Sequence, residues 1–310
     1  MQPAYIKLHK DGELNRRVEA ALERLESCDL CPRMCGVNRL AGETGTCGTG
    51  RRARVASYNA HFGEEAPLVG RNGSGTIFLS SCSLLCGFCQ NYEISHQAEG
   101  VEVEPEDMAA MMLHLASRGC HNINFVTPTH VIPQILEAIQ AAVDQGLNVP
   151  FVYNSSGYDR VETLRLLDGI FDIYMPDYKF FEERWAERYC NAPDYPKAAS
   201  ASIKEMHRQA GDLVVDDDGV ARRGLLVRHL VMPNGVAGTG GVMKFLAGEI
   251  SIETYVNVMD QYRPCGIADR DEFIDRRLTA GEYREAVDAA TAAGLTRLDS
   301  RDRPRLLFAF

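Results

Sequence analysis

Three cysteines with short spacing offer the clearest chemistry in this sequence. Cys82, Cys86 and Cys89 are separated by three and then two residues, and the aromatic Phe88 precedes the last of them. Short runs of cysteine thiolates hold iron–sulfur clusters, and most electron carriers supply four such ligands. A set of three can bind three irons of a [4Fe–4S] cluster and leave the fourth iron open, which indicates chemistry at the cluster. A zinc site or buried structural cysteines are the alternative.

A second group of cysteines lies nearer the N-terminus and comprises Cys28, Cys31, Cys35 and Cys47. Four thiolates complete a tetrahedral shell, and neighbouring glycines such as Gly48 allow the tight turns of a metal knuckle. The set fits structural zinc and an auxiliary [4Fe–4S] cluster equally, and unmetallated thiols are a third possibility. Because a full shell leaves no open position, we expect a structural or electron-transfer role.

The other three cysteines, Cys120, Cys190 and Cys265, are isolated in the sequence. We interpret them as small buried hydrophobic residues. The ten cysteines occur in a chain whose first residues lack the apolar stretch of a secretory signal. Since the cytosol keeps thiols reduced, we expect metal ligation rather than disulfides, and a cytoplasmic location.

Composition narrows the class of partner. With 45% hydrophobic and 25% charged residues, the sequence has the balance of a globular protein. The net charge of −10 argues against a nucleic-acid partner, because phosphate binding needs concentrated lysine and arginine. The chain has no apolar run long enough to span a bilayer, so we expect no membrane partner. We predict a helix and four-cysteine metal module over residues 1–52 and a larger domain over residues 53–310.

The pattern from residue 75 onward alternates between strand, loop and helix. Such alternation predicts parallel strands joined by crossover helices. The predicted strands are 76–80, 121–126, 149–153, 170–175, 225–231 and 253–258. The predicted helices are 13–26, 105–117, 132–144, 160–167, 240–248 and 282–294, with two more inside residues 180–224. Residues 53–74 are expected to be a connecting segment, and Asp216–Gly219 to be the turn of a hairpin. Six units predict an α/β fold with fewer units than the eight of a closed barrel, in agreement with an open partial (β/α)6 barrel.

Polar residues follow the predicted strands at the end where parallel barrels carry their chemistry. Turns and helix caps explain any one of them, but together they form a ring of donors and acceptors facing one cleft. Such a ring suits a zwitterionic ligand that bears a ribose. Its members are Thr127, Thr129, His130, Asn154, Ser155, Ser156, Asp177, Lys179, Arg228, His229, Asn234, Asp260 and Gln261.

The cysteine triad, Phe88 and the preceding strand resemble the radical S-adenosylmethionine (SAM) superfamily. Further stretches over residues 50–298 resemble its pyruvate formate-lyase activating-enzyme-like branch; they are Cys89–Asn91, Asn154–Tyr158, Met175–Lys179, Val227–Pro233 and Tyr255–Met259. The resemblance implies that the cluster cleaves SAM reductively to methionine and a 5′-deoxyadenosyl radical, which abstracts hydrogen. It also implies a low-potential electron donor, flavodoxin or ferredoxin, and a polypeptide substrate such as a glycyl-radical enzyme.

The same resemblance implies roles for individual residues. Thr127 and Thr129 would bracket the methionine amine, Asn154 and Ser156 the ribose, and Arg228 the carboxylate or ribose region. Many superfamily members carry Gly-Gly-Glu where this chain has residues 126–129, so the assignments on that loop depend on neutral acceptors. Asp177 and Lys179 would serve the cofactor pocket, where relatives have a cation site. An ordinary salt bridge between the two is the alternative.

Two other functions remain open from the sequence. A radical SAM enzyme of this kind could modify a small molecule or a different peptide, since fold and cofactor do not fix a substrate. An iron–sulfur electron-transfer or cluster-carrier protein would explain the cysteines without catalysis. It would not explain the polar ring or the incomplete ligand set.

Overall fold

The computed structural model describes residues 2–299. Within that part, one sheet of nine strands forms the centre of a mixed α/β fold. The strands are β1 (Ala53–His61), β2 (Ser74–Leu79), β3 (Val101–Val103), β4 (Ile123–Val126), β5 (Phe151–Ser155), β6 (Ile173–Pro176), β7 (Val214–Val215), β8 (Ala221–Leu230) and β9 (Tyr255–Met259).

The α-helices of residues 2–299 lie before, between and after these strands. They are α1 (Tyr5–Lys10), α2 (Glu13–Glu23), α3 (Ala66–Val69), α4 (Tyr92–Ser95), α5 (Pro105–Ser117), α6 (Ile132–Asp144), α7 (Val161–Leu166), α8 (Glu183–Cys190), α9 (Tyr195–Ala210), α10 (Thr239–Phe245) and α11 (Ala280–Ala292). None of the helices in this part of the chain has the length and apolar character required to cross a membrane.

The order of the strands is β3-β1-β2-β4-β5-β6-β8-β7, and β9 pairs with residues 226–230 of β8 outside this order. The neighbours β2, β4, β5, β6, β8 and β9 are all parallel. Parallel neighbours need crossover connections, which the intervening helices provide. The predicted alternation of six parallel strands is confirmed, and the arrangement is consistent with an open partial barrel.

Local sequence explains where several helices begin. Pro105 opens α5, and Glu104 and Asp107 form a reciprocal capping box there. Thr279 caps α11 in the same way with Glu282. The observed bounds of α5 and α6 are those predicted, because amphipathic periodicity and an N-terminal proline both mark them.

The segment over residues 53–74 differs from its prediction. The expectation of a simple connection is wrong, because it contains β1, which pairs antiparallel with β2, and the short helix α3. Ser57, Tyr58 and Asn59 of β1 are exposed, so the strand lacks the apolar run that marks the others. The hairpin prediction is confirmed: β7 and β8 pair antiparallel, and Gly219 N donates to Asp216 O at 2.9 Å in their turn.

The two faces of the parallel strands pack differently. On the helix-covered face, aromatic rings of neighbouring strands meet, as where Phe151 lies 5.9 Å from Phe125 between ring centroids. On the other face, Val152, Ile173 and Leu226 join Leu68 of α3 in a smaller cluster. Since side chains alternate along a strand, Asn154 lies on this second face two residues after Val152. The polar strand ends therefore share one side of the sheet.

Candidate active site

The loop that follows β2 brings the three cysteines together. Ser81 and Leu85 adopt positive φ angles of 73° and 54°, which costs a side-chain-bearing residue roughly 1–3 kcal/mol. These two positions directly precede Cys82 and Cys86, so the backbone turns just before each of them. As a result Cys82, Cys86 and Cys89 line one cavity of about 170 Å³.

Hydrogen bonds to sulfur fix two of the three side chains. Leu84 N donates to Cys82 Sγ at 3.4 Å, and Ser95 Oγ donates to Cys89 Sγ at 3.2 Å. Phe88 is buried next to them, with its ring edge-on to those of Phe180 and Tyr189. The predicted aromatic residue therefore anchors the loop in the core rather than facing the cavity.

Burial controls the protonation of these thiols. It raises the pKa of Cys82 to about 12 and also raises the pKa of Cys89. For Cys86, a hydrogen bond with the Cys190 thiol is the largest cause that raises the pKa, followed by burial. The three thiols are therefore protonated at neutral pH in the metal-free chain, and a metal that binds them must displace the protons.

Most of the strand-end residues predicted to bind a cofactor line the cavity of the three cysteines. Four successive strands of the sheet, β4, β5, β6 and β8, carry or precede them. They are Thr127, Asn154, Ser156, Asp177, Lys179 and Arg228. The structure thus gathers six of the seven predicted positions beside the cysteines, and the role of each remains a prediction.

A charged network forms one wall of the cavity. Arg228 donates through Nε to Asp177 Oδ1 and through Nη2 to Asn154 Oδ1, both at 2.7 Å. Lys179 Nζ donates to the other oxygen of Asp177 at 2.5 Å. One carboxylate thus joins two cations, which keeps both of them at the wall of the cavity.

The protonation states in this network follow from its pairing. Burial alone would raise the pKa of Asp177, but the charges of Arg228 and Lys179 outweigh it and lower that pKa. Burial lowers the pKa of Lys179, and the nearby Asp177 carboxylate more than reverses the effect. All three groups are therefore charged at neutral pH.

Thr129 is the predicted residue that the structure does not bring to the cavity. It is buried, and its hydroxyl donates to Asp159 Oδ1 at 2.7 Å. Tyr153 and Ser155 also donate to that carboxylate, at 2.8 and 2.6 Å. The Thr129 side chain therefore holds a buried aspartate in place, whereas Thr127, with a φ of 61°, reaches the cavity.

Other members of the expected polar ring also point elsewhere. His229 is fully buried and bonds Tyr178 O at 2.6 Å and Thr239 Oγ1 at 2.8 Å, because it lies on the strand face opposite Arg228. Asn234 Nδ2 donates to Phe273 O at 2.7 Å. Two-residue periodicity along β8 separates Arg228 from His229, so the sequence could have distinguished them.

A close backbone approach shapes the end of β5. Gly157 has a φ of 75°, and a Cβ on it would lie 2.2 Å from Asp177 O. Only glycine fits both conditions. The Tyr195 hydroxyl links the ends of β5 and β6, because it donates to Ser156 O at 2.9 Å and accepts from Lys179 N at 2.8 Å.

Sequence reasoning missed two acidic residues near the charged network. Glu64 and Glu65 lie before α3 and are buried. Glu64 approaches Arg228 Nη1 at 3.7 Å, and Asn257 Nδ2 donates to Glu65 Oε1 at 2.7 Å. The available signal was a pair of adjacent acidic residues in a nearly apolar stretch, since a buried acid needs a partner. Their partners, Arg228 and Asn257, lie about 160 to 190 residues away, so the local sequence could not identify them.

Cys190 was expected to be an isolated hydrophobic residue, and this expectation is wrong in part. The residue is buried, as predicted, but its thiol contacts that of Cys86. Cys190 ends α8, which packs against the cysteine loop, where Gly87 N donates to Tyr189 O at 2.8 Å.

The four N-terminal cysteines line a much smaller cavity of about 10 Å³. Burial raises the pKa of Cys31 to about 12, with the other three thiols contributing through their proximity. Positive φ angles at Met34 and Gly36 make the turns between the cysteines. The buried Arg39 donates to His130 O at 2.8 Å and lies 3.9 Å from Cys28 Sγ, and it ties this module to the loop after β4.

The arrangement of the cysteines can be compared with what a single metal ion and an iron–sulfur cluster each require. Within residues 2–299, no three histidine, cysteine or acidic side chains are arranged round a point that would hold one metal ion. A cluster differs, because its several irons spread the thiolates over separate corners. Three thiols on the wall of a 170 Å³ cavity fit that larger group, and their soft sulfur donors are those that iron–sulfur clusters take.

Comparison with known proteins gives one relative that shows the family. No family model matches the chain. The chain is 33% identical over 294 residues to the uncharacterized protein MJ0674 of Methanocaldococcus jannaschii, and the match covers 91% of this chain and 79% of that protein. The chain therefore belongs to the same family as MJ0674.

The comparison with solved structures gives a partial match. The native form of anSMEcpe with bound AdoMet matches with a TM-score of 0.47 at 8% identity. The match covers 69% of this chain and spans only 57% of the length of that one.

Proposed function

We propose that this protein is a radical SAM enzyme whose catalytic cluster binds at Cys82, Cys86 and Cys89. The observation that carries the proposal is the shared cavity. Two buried thiols, one partly buried thiol and seven polar or charged residues from four strand ends line the same 170 Å³ space. A carrier protein needs the thiols alone, whereas a charged ligand beside an open iron needs both.

The chain's own residues would hold SAM in that space. Lys179 and Arg228 supply positive charge for the carboxylate of its methionine part, and Asp177 keeps both cations in position. Asn154 and Ser156 offer amide and hydroxyl groups to the ribose. Val126 and Ile94, which also line the cavity, would shield the reacting bond from water.

A cluster bound at these cysteines would supply the one-electron reduction of SAM, with the electron drawn from a low-potential donor, to give methionine and a 5′-deoxyadenosyl radical that would take a hydrogen atom from the substrate. We propose flavodoxin or ferredoxin as the electron donor. The protein's part is to keep three thiolates on the metal and to leave the remaining iron to SAM.

The test is anaerobic reconstitution of the full chain with iron and sulfide, followed by reduction in the presence of SAM. We expect 5′-deoxyadenosine and methionine in equal amounts. A chain that takes up a cluster and exchanges electrons without consuming SAM would be an electron-transfer or cluster-carrier protein, and the proposal would be wrong.

We further propose that the substrate is a polypeptide, with glycyl-radical installation on a partner enzyme as the reaction. This rests on the resemblance of the sequence to activating enzymes. Tyr189 and Ile267 both bond Gly87, so the chain around each of them contacts the cysteine loop and limits how a substrate could approach it. Incubation with glycyl-radical enzymes should give a glycyl signal in electron paramagnetic resonance. Deuterium transfer to 5′-deoxyadenosine from a metabolite alone would instead place the substrate among small molecules.

We propose a second metal at Cys28, Cys31, Cys35 and Cys47. These thiols line one small cavity but do not surround a single point in the metal-free structure, so zinc and an auxiliary [4Fe–4S] cluster are both candidates. Elemental analysis of a chain with Cys82, Cys86 and Cys89 replaced by alanine should find zinc or iron above background. Iron and sulfide there would indicate a cluster, and no metal would refute the site.

A further inference from the structure

Arg33 connects the N-terminal cysteines with the cysteine loop of the proposed active site. It lies between Cys31 and Cys35, and its backbone amide bonds the Cys31 sulfur. Its side chain leaves the module and ends among backbone carbonyls of the rest of the chain. The guanidinium donates to Ser83 O at 3.0 Å, Leu84 O at 3.2 Å, Cys190 O at 2.8 Å and Asn191 O.

These four carbonyls belong to two different segments. Ser83 and Leu84 lie in the cysteine loop, directly after Cys82, whereas Cys190 and Asn191 form the end of α8. The C-terminal carbonyls of a helix are partly negative and lack partners within the helix, so a cation is favourable there. One planar guanidinium with five N–H donors can bond both segments at once, and no other side chain has this geometry.

The surroundings leave the Arg33 side chain little freedom. Its guanidinium carbon lies 5.3 Å from the ring centroid of Tyr158, within the range of a cation–π contact. The Tyr158 hydroxyl is itself held, since it donates to Asp194 Oδ1 at 2.8 Å. Ser83 and Leu84 are almost fully buried, so water has little access to carbonyls that lost the guanidinium.

The same two segments meet at the proposed cluster ligands. Gly87 N donates to Tyr189 O at 2.8 Å, and the Cys86 and Cys190 thiols are in contact. Arg33 therefore reinforces a junction that sets where Cys86 lies relative to Cys82.

We propose that Arg33 is a positioning residue that couples the N-terminal cysteine module to the spacing of Cys82, Cys86 and Cys89. The folded N-terminal module fixes the backbone position of Arg33. The hydrogen bonds of its guanidinium then fix the position of the cysteine loop relative to that module. The role in cluster binding rests on the function proposed above, but the coupling itself is a property of the metal-free chain.

The first experiment is amide hydrogen exchange on the metal-free full chain. Arg33→Met removes the donors and keeps an unbranched apolar stem. We expect exchange in the peptide that contains Gly87 to become about tenfold faster, the factor that corresponds to a lost hydrogen bond to a charged group. Arg33→Lys keeps the positive charge but loses the planar set of N–H donors, so its exchange rate at Gly87 should lie between those of the wild type and Arg33→Met. If Arg33→Met does not fold, Arg33→Lys is compared with the wild type instead.

Arg24→Met is the matched control. Arg24 lies in the same N-terminal region and pairs with Asp29 at 2.6 Å, but its bonds stay within that region. It should leave exchange at Gly87 within about twofold of the wild type, because it removes no bond to the loop. Unchanged exchange in Arg33→Met, or an equal effect of Arg24→Met, would overturn the coupling.

The second experiment uses the reconstituted chains. Arg33→Met should take up less iron at Cys82, Cys86 and Cys89 and shift the reduction potential of the cluster that does form, which a loss of global stability alone would not do. Wild-type iron content and potential in Arg33→Met would refute the role in cluster binding. A wild-type chain that binds no cluster would instead refute the proposed function, and the exchange result would still decide whether Arg33 couples the two regions.

Discussion

The two cysteine regions differ in what surrounds the thiols. The loop of Cys82, Cys86 and Cys89 opens on a cavity of about 170 Å³ with a lysine, an arginine and an aspartate in its wall. The N-terminal four cysteines enclose about 10 Å³, and their cavity contains arginines and one histidine but no acidic side chain. Both regions offer sulfur ligands, but only the first leaves room for a second molecule beside them.

Under the proposed function, this difference separates a reacting metal centre from a structural one. A reacting metal needs an open ligand position and groups that orient a substrate, whereas a structural metal needs a closed shell. The charged network of Asp177, Lys179 and Arg228 supports the proposal for the first region, because its two cations line the cavity as well as pair with Asp177.

The largest expected effect comes from the cysteine loop. Replacing Cys82, Cys86 and Cys89 together by alanine should reduce 5′-deoxyadenosine formation to background, because no ligands would remain for the catalytic cluster. Cys120→Ala is the control, since Cys120 is equally buried but lies outside the cavity. If the triple variant formed 5′-deoxyadenosine at the wild-type rate, the cysteine loop would not be the reacting centre.

The next effect concerns the charge beside the cysteines. Asp177→Asn keeps the shape and removes the charge that pairs Lys179 and Arg228, so SAM affinity should fall by about tenfold or more. Isothermal titration with the metal-loaded chain measures this. Unchanged binding and turnover with lower thermal stability would support an ordinary salt bridge.

Asp172→Asn is the matched control for a buried aspartate outside the cavity. Burial raises the pKa of Asp172 to about 6 and outweighs the backbone hydrogen bonds and the charge of Arg223, which lower it. A raised carboxyl pKa stabilises the fold at low pH, and this contribution is lost as the pH rises through 6. The variant should therefore be more stable than the wild type at pH 8 by about 1–3 kcal/mol and bind SAM normally. The lowered pKa of Asp177 acts in the opposite direction, since its contribution is lost as the pH falls below the ordinary aspartate range.

A smaller effect on chemistry is expected from the N-terminal module. Cys31→Ala should lose the module metal and lower the melting temperature by several degrees, because a structural metal contributes to folding free energy. The rate of SAM cleavage per assembled cluster should stay close to that of the wild type. A loss of cleavage per cluster would show that the module takes part in electron transfer.

The sequence predicted the parallel part of the fold well, for a physical reason. Buried parallel strands and amphipathic helices carry strong local patterns, so α5 and α6 were predicted with their observed bounds. The antiparallel strand β1 was missed because three of its nine residues are exposed and its pairing with β2 is not encoded in the local sequence. The short helix α1 was missed as well, since six residues give little periodicity.

The site was predicted to the extent that topology alone defines it. Parallel strand ends meet at one edge, which brought Asn154, Asp177 and Arg228 to one cavity as expected. Thr129 does not line the cavity, because its hydroxyl donates a hydrogen bond to the buried Asp159. The contacts of Cys190 and of Arg33 with the cysteine loop depend on how α8 packs, and nothing in the local sequence encodes that.

The most direct test of the account is whether SAM binds the open iron of the cluster at Cys82, Cys86 and Cys89. Electron–nuclear double resonance on the reduced, reconstituted chain with SAM labelled at the amine nitrogen and carboxylate oxygen reports that contact. We predict hyperfine coupling from both labels, lost in Cys86→Ala and retained in Cys120→Ala. A fully loaded cluster that shows no coupling to either label at saturating SAM would contradict the account.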